Sequence, residues 1–169
     1  MFDIRKTVQL KERLFFSSLL ILVFFCGHSC NKNNINELYH HFPDNVWGRF
    51  NLLSFEIPIN NVEKPYDIFL FARFSPNFQY NNLDFNMVMN TSSGEERINE
   101  YQMKVKSQTG SFIFECKKDS CEGVILLKKE LRLTKPGILK IEIENLTPRL
   151  VTEGIIGVGL RMVESGKKF

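Results

Sequence analysis

Pro65-Tyr-Asp-Ile-Phe-Leu-Phe-Ala-Arg-Phe-Ser-Pro-Asn-Phe-Gln-Tyr-Asn-Asn-Leu-Asp-Phe-Asn-Met-Val-Met89 is the stretch from which the fold can be read. Tyr66, Ile68, Leu70, Ala72 and Phe74 alternate with Asp67, Phe69, Phe71 and Arg73. Leu83, Phe85, Met87 and Met89 alternate with Asp84, Asn86 and Val88. A period of two puts alternate side chains on one face of a strand. Between the two runs, Ser75 to Asn82 holds Pro76 with Asn77, Asn81 and Asn82, the composition of a loop. The stretch reads as a central strand, a loop and a second strand. It is core scaffold, and no chemistry is written in it.

The same period continues in both directions. Upstream, Leu53, Phe55, Ile57 and Ile59 alternate with Ser54, Glu56, Pro58 and Asn60, and Pro58 asks for an edge position. Downstream, Ile98 to Val105 places Tyr101, Met103 and Val105 inward. Phe112, Phe114 and Cys116 alternate next, and a Lys117–Ser120 turn leads into Val124 to Leu127 and then Lys128 to Leu133. Thr134-Lys135-Pro136-Gly137 is a turn signal with Pro and Gly placed as a type II turn wants them. Leu139, Ile141 and Ile143 follow, and Asn145 to Glu153 reads as a longer connection. In the last strand, Ile155 to Val163, the residues Ile156, Val158, Leu160 and Met162 share one face, with Ile155, Gly157, Gly159 and Arg161 on the other. Two glycines on one face suggest a bulge or a close backbone approach. The total is about eight strands and no helix, an all-β chain forming an antiparallel β-sandwich of jelly-roll-like type. An immunoglobulin-like topology is the nearest alternative.

The amino terminus has a different character. Leu14 to Phe25 is an apolar run of 12 residues behind a charged start, too short for a bilayer span of about 20 residues and suited to the apolar core of a signal peptide. Cys26-Gly27-His28-Ser29-Cys30 follows. Lipoprotein signal peptidase accepts a small residue before the cysteine. Ser29 provides one ahead of Cys30, whereas Cys26 follows the bulky Phe25; Gly27 replaces the usual leucine at −3. Cys30 is therefore the candidate lipidation site, the alternative being ordinary secretion with a free or paired cysteine. Residues 1–29 read as a lipoprotein signal peptide, residues 30–36 as a lipid-anchored tether, and residues 37–169 as a single β-sandwich domain.

Charge and motifs exclude several function classes. Of the 169 residues, 140 follow the leader, enough for a sandwich-sized core. Beyond the leader, 18 Lys and Arg face 17 Asp and Glu, so the domain is nearly neutral and poorly suited to neutralising a run of phosphates, and no nucleic-acid partner is expected. Cys116 and Cys121 flank Lys-Lys-Asp-Ser, and the pair either closes a disulfide or stays as two buried thiols. Neither cysteine has a partner at zinc-finger spacing, and the adjacent His40 and His41 point in different directions with no third ligand in view. No metal or cofactor is expected. There is no Gly-rich phosphate loop, Gly-x-Ser-x-Gly or His-Glu-x-x-His, and all three histidines precede the sheets, which argues against an enzyme. Trp47, the only tryptophan, reads as part of a leading segment lying against the sandwich edge, or as a sugar-stacking platform together with Phe78 and Tyr80.

The order of these features resembles a known family. After the cysteine-ended leader come Tyr39-His40, then Phe55 to Ile57, then Pro65-Tyr66-Asp67-Ile68 running to Arg73. Tyr80-Asn81-Asn82-Leu83 follows, and the chain closes with Gly154-Ile155-Ile156-Gly157-Val158-Gly159-Leu160-Arg161. This is similar to the GldH family of gliding-motility lipoproteins from the Bacteroidetes, over most of residues 37–163. The resemblance implies a non-enzymatic protein anchored through lipid on Cys30 in the cell envelope, periplasmic or at the outer membrane. It implies partners among other envelope motility or secretion proteins, linked to type IX secretion, and carries over no catalytic residue. A carbohydrate-binding envelope lipoprotein is the alternative.

Overall fold

The computed structural model describes residues 36–167. The expected signal peptide, Cys30 and nearly all of the tether lie outside them. The strands in chain order are β1 (Asn36–His41), β2 (Val46–Gly48), β3 (Leu53–Ile59), β4 (Tyr66–Phe74), β5 (Asn82–Asn90), β6 (Glu96–Lys104), β7 (Cys116–Lys117), β8 (Ser120–Leu131), β9 (Gly137–Asn145), β10 (Val151–Glu153) and β11 (Ile155–Glu164).

The alternation of apolar side chains decides which strands can share a core. In β3, Leu53, Phe55, Ile57 and Ile59 are buried and the residues between them exposed. In β5, Leu83, Phe85, Met87 and Met89 are buried. Full burial of one such side chain stabilises by about 1.5–3 kcal/mol. Two antiparallel sheets face each other across this core, one ordered β1-β11-β4-β8-β7 and the other β3-β9-β5-β6. Counting only the eight long strands along the chain, the sheets run 1-8-3-6 and 2-7-4-5. That path is a jelly roll rather than an immunoglobulin-type sandwich. β4 is central in its sheet and β3 is at an edge, the position Pro58 requires. The two runs of the opening stretch do not pair with each other: β4 belongs to one sheet and β5 to the other.

Several expectations are corrected. The leading segment is itself an edge strand, β1, paired with β11 from Asn36↔Met162 to His41↔Gly157. Asn145 to Glu153 contains the short β10, which forms a separate two-stranded ribbon with β2. Val124–Leu127 and Lys128–Leu133 are mostly one long strand, β8, whose register slips twice against Tyr66–Phe69. Near these slips Glu130 takes a φ of 52° and donates its N–H to Asp67 Oδ1 at 2.7 Å. Phe112 and Phe114 lie in a loop rather than a strand, with ring centroids 6.4 Å and 6.3 Å from Phe74. In β11 a bulge between Ile155 and Gly157 puts Ile155, not Ile156, fully in the core.

Cys116 and Cys121 stand directly opposite each other across the β7–β8 hairpin and are joined by a disulfide. Closing so short a loop stabilises by about 2 kcal/mol in chain-entropy terms. Replacing both cysteines by serine is expected to lower the thermal midpoint by roughly 5 °C, followed by circular dichroism. An unchanged midpoint would mean that this edge hairpin opens independently of the domain.

Candidate functional site

The three aromatics expected as stacking platforms do not converge on one surface. Trp47 has no exposed surface: its ring stacks on Phe42 at 5.7 Å, and its indole N–H donates to the Asn51 carbonyl at 2.9 Å. Phe78 is equally buried, packed against Phe74 at 4.6 Å and edge-on to Tyr80 at 5.3 Å. Gly154, at φ +82°, lies so close that a Cβ there would stand 2.8 Å from Phe78 Cα. Tyr80 alone keeps part of its surface. Trp47 and Phe78 therefore build the core and offer no face to a ligand. The cause is the β2–β10 ribbon, which turns Trp47 inward.

That ribbon is held by a buried polar group that period-two reading passes over. Asn145, at the end of β9, has no exposed surface. Its amide donates to the Trp47 carbonyl at 3.1 Å and to Thr152 Oγ1 at 2.9 Å. Its Oδ1 accepts the Thr147 N–H at 2.9 Å and also the Thr147 hydroxyl. One side chain thus ties β2, β10 and the β9–β10 connection together, every polar atom satisfied. Beside the ribbon is a cleft of about 410 Å³, lined in part by Asn77, Tyr80, Pro148, Arg149 and Glu153. The Arg149 guanidinium lies 5.7 Å from the centre of the Tyr80 ring.

The outer face of the five-stranded sheet carries a second constellation. Tyr39 of β1 stacks on Phe71 of β4 at 5.7 Å, across the two glycines of β11. A Cβ on Gly157 would collide with the Tyr39 ring and lie 2.5 Å from the His40 carbonyl oxygen. One on Gly159 would collide with the Phe71 ring and lie 2.5 Å from the Leu38 carbonyl oxygen. Both glycines are therefore required by close approach. Arg73 sits 4.9 Å over the Tyr39 ring and donates to Glu122 at 2.8 Å. Arg161 sits 5.1 Å over Phe71 and donates to Glu37 at 2.9 Å. Burial holds the Tyr39 phenol above its ordinary value, with Arg73 opposing. The bond to Glu122 holds the Arg73 guanidinium above its own. In these pairs each cation has a carboxylate partner, and no nucleophile with a neighbouring base appears in them.

Among the described residues no three His, Cys, Asp or Glu side chains come close enough to hold a metal ion. Cys30 lies outside them.

The profile of the GldH lipoprotein family matches residues 34–162. The gliding motility lipoprotein GldH of Flavobacterium johnsoniae is 22% identical over 153 residues, spanning 86% of this chain and 94% of that protein. Among solved structures, that of infectious bursal disease virus, Gx strain, aligns with a TM-score of 0.38 at 11% identity, covering 81% of this chain and 33% of that one. TmCBM61, solved in complex with beta-1,4-galactotriose, aligns with a TM-score of 0.30 at 12% identity, covering 80% of this chain and 82% of that one. With the family profile spanning nearly the whole described sandwich, the chain belongs to the GldH lipoprotein family.

Proposed function

We propose that this chain is a lipid-anchored protein of the cell envelope, held through Cys30, that serves gliding motility and the linked type IX secretion through protein–protein contacts and not through catalysis. The family match over residues 34–162 carries the reading. The 12-residue apolar leader run and the Ser29-Cys30 step support it independently, because they supply what lipid attachment needs. More than one acyl chain on the cysteine gives the two signals that stable anchoring takes. On this reading residues 1–29 are removed and the jelly roll stands in the periplasm or at the outer membrane.

The test has two parts. The intact mass of the protein from a membrane fraction is expected to fit cleavage before Cys30 plus acyl chains, and Cys30→Ala is expected to lose that mass and leave the membrane. Deleting the gene in the host bacterium is expected to abolish spreading on agar and surface secretion. Normal spreading and secretion in the deletion strain would overturn the motility reading. The carbohydrate-binding alternative has no support from Trp47 or Phe78, which are buried.

A further inference from the structure

Phe50 and Leu150 are the two most exposed large apolar side chains among the described residues, 83% and 71% exposed, with Leu52 and Val151 half-exposed beside them in sequence. Scattered single apolar residues at a surface need no explanation. These four lie on the two segments that flank the open end of one ribbon. The Arg49 N–H donates to the Leu150 carbonyl at 2.9 Å, continuing the β2–β10 ladder, so Phe50 follows directly on one side and Leu150 ends the other. The turn that carries Phe50 is fixed from both directions: Asn51 donates its N–H to the Gly48 carbonyl at 3.0 Å and accepts the Trp47 indole N–H at 2.9 Å. Asn145 pins the ribbon beneath. The backbone that carries Phe50 is thus fixed before any contact, which removes part of the entropic cost of binding.

We propose that this end of the jelly roll is a docking surface for an envelope protein whose pocket is apolar and rimmed by carboxylates. The proposal rests on the lipid-anchored, protein-contact reading above and names the surface through which it acts. Two observations select this occupant. First, Arg49 and Arg149 adjoin Phe50 and Leu150 in sequence, and neither forms an ion pair with a described residue. Two guanidinium groups with no carboxylate partner among the described residues, that of Arg149 lying over the Tyr80 ring, call for an acidic rim beside the apolar side chains. They also disfavour a second copy of this chain, which would set like charges against each other in a two-fold contact. Second, the tether joins the opposite end. β1 begins at Asn36, opposite Met162, whereas the ribbon lies beyond Ile155 at the other end of β11. At about 3.3 Å per residue, the β11 span from Ile155 to Met162 is roughly 23 Å. The stretch from Cys30 to Asn36 reaches about 20 Å fully extended. On the lipid-anchored reading, the Phe50 end is thus the end of the sandwich farther from where the tether enters.

The test is made in the host with the full-length chain. A deletion strain receives the wild-type gene, Phe50→Ser with Leu150→Ser, or Arg149→Glu. In parallel, a photo-cross-linking phenylalanine analogue is placed at position 50, and at position 135 in the β8–β9 turn as control. Both serines replace exposed groups, so the double variant is expected to keep wild-type abundance, lipidated mass and thermal midpoint while losing spreading about tenfold or more. Light is expected to yield an adduct with a different protein from position 50 and not from 135, weakened by Arg149→Glu. The proposal is overturned by full restoration of spreading by the double variant, by an adduct of two copies of this chain, or by an adduct with lipid alone. If the deletion strain itself spreads and secretes normally, the motility reading falls, and the adduct from position 50 still decides whether this end docks a protein.

Discussion

Trp47→Ala is expected to lower the stability of the domain by about 3–5 kcal/mol and its thermal midpoint by roughly 10–15 °C. The reason is location. The ring is fully buried, stacked on Phe42, and its N–H closes the turn at Asn51. Alanine leaves a cavity at the base of the ribbon and orphans the Asn51 carbonyl. Trp47→Phe keeps an aromatic partner for Phe42 and loses mainly the hydrogen bond, a cost of about 1 kcal/mol. Scanning calorimetry of the two variants beside wild type separates these contributions. An unchanged midpoint in Trp47→Ala would mean that the ring is not part of the core, and would return Trp47 to the list of surface platforms.

Gly159→Val is expected to be more damaging still, above about 4 kcal/mol, so that little folded protein accumulates. Two obstacles meet at this residue: the Phe71 ring, and the Leu38 carbonyl oxygen, 2.5 Å from where a Cβ would stand. A ring can swing aside, but a carbonyl inside the β1–β11 ladder moves only if the ladder opens. Phe71→Ala added to Gly159→Ala is therefore expected to relieve only part of the cost of Gly159→Ala. Complete rescue, measured by chemical denaturation, would show that the backbone contact is harmless. Full rescue would also assign the glycine solely to the stacked rings.

Both positions show what could be read in advance. The strands β3, β4, β5 and β9 follow from period two, because each has one face in the core and burial repeats the residue pattern, except at Phe71 of β4, which is buried on the outer face against Tyr39. The glycines of β11 announced a bulge or a close approach, and both occur. Period two does not say where a ribbon bends, so Trp47 read equally well as a surface aromatic. Nor does it see Asn145, whose partners lie 98, 7 and 2 residues away in sequence. A lone asparagine at a strand end looks like turn chemistry until the fold brings those partners around it. Phe50 and Leu150 lie in segments about a hundred residues apart, and only the pairing of β2 with β10 brings those segments together.

The pairing of the first and last strands also sets how the domain responds to mechanical load. A pull on Asn36 along β1, opposed by a load entering β11 through Leu150 and β10, would draw the two antiparallel strands lengthwise past each other. β1 is held to β11 through six register pairs, all of which must slide together under such a pull. Strands loaded lengthwise yield in shear, with their hydrogen bonds sharing the force, whereas strands pulled sideways unzip one bond at a time. On the anchored and docked reading proposed above, the β1–β11 pair would take load in the stronger of these two directions.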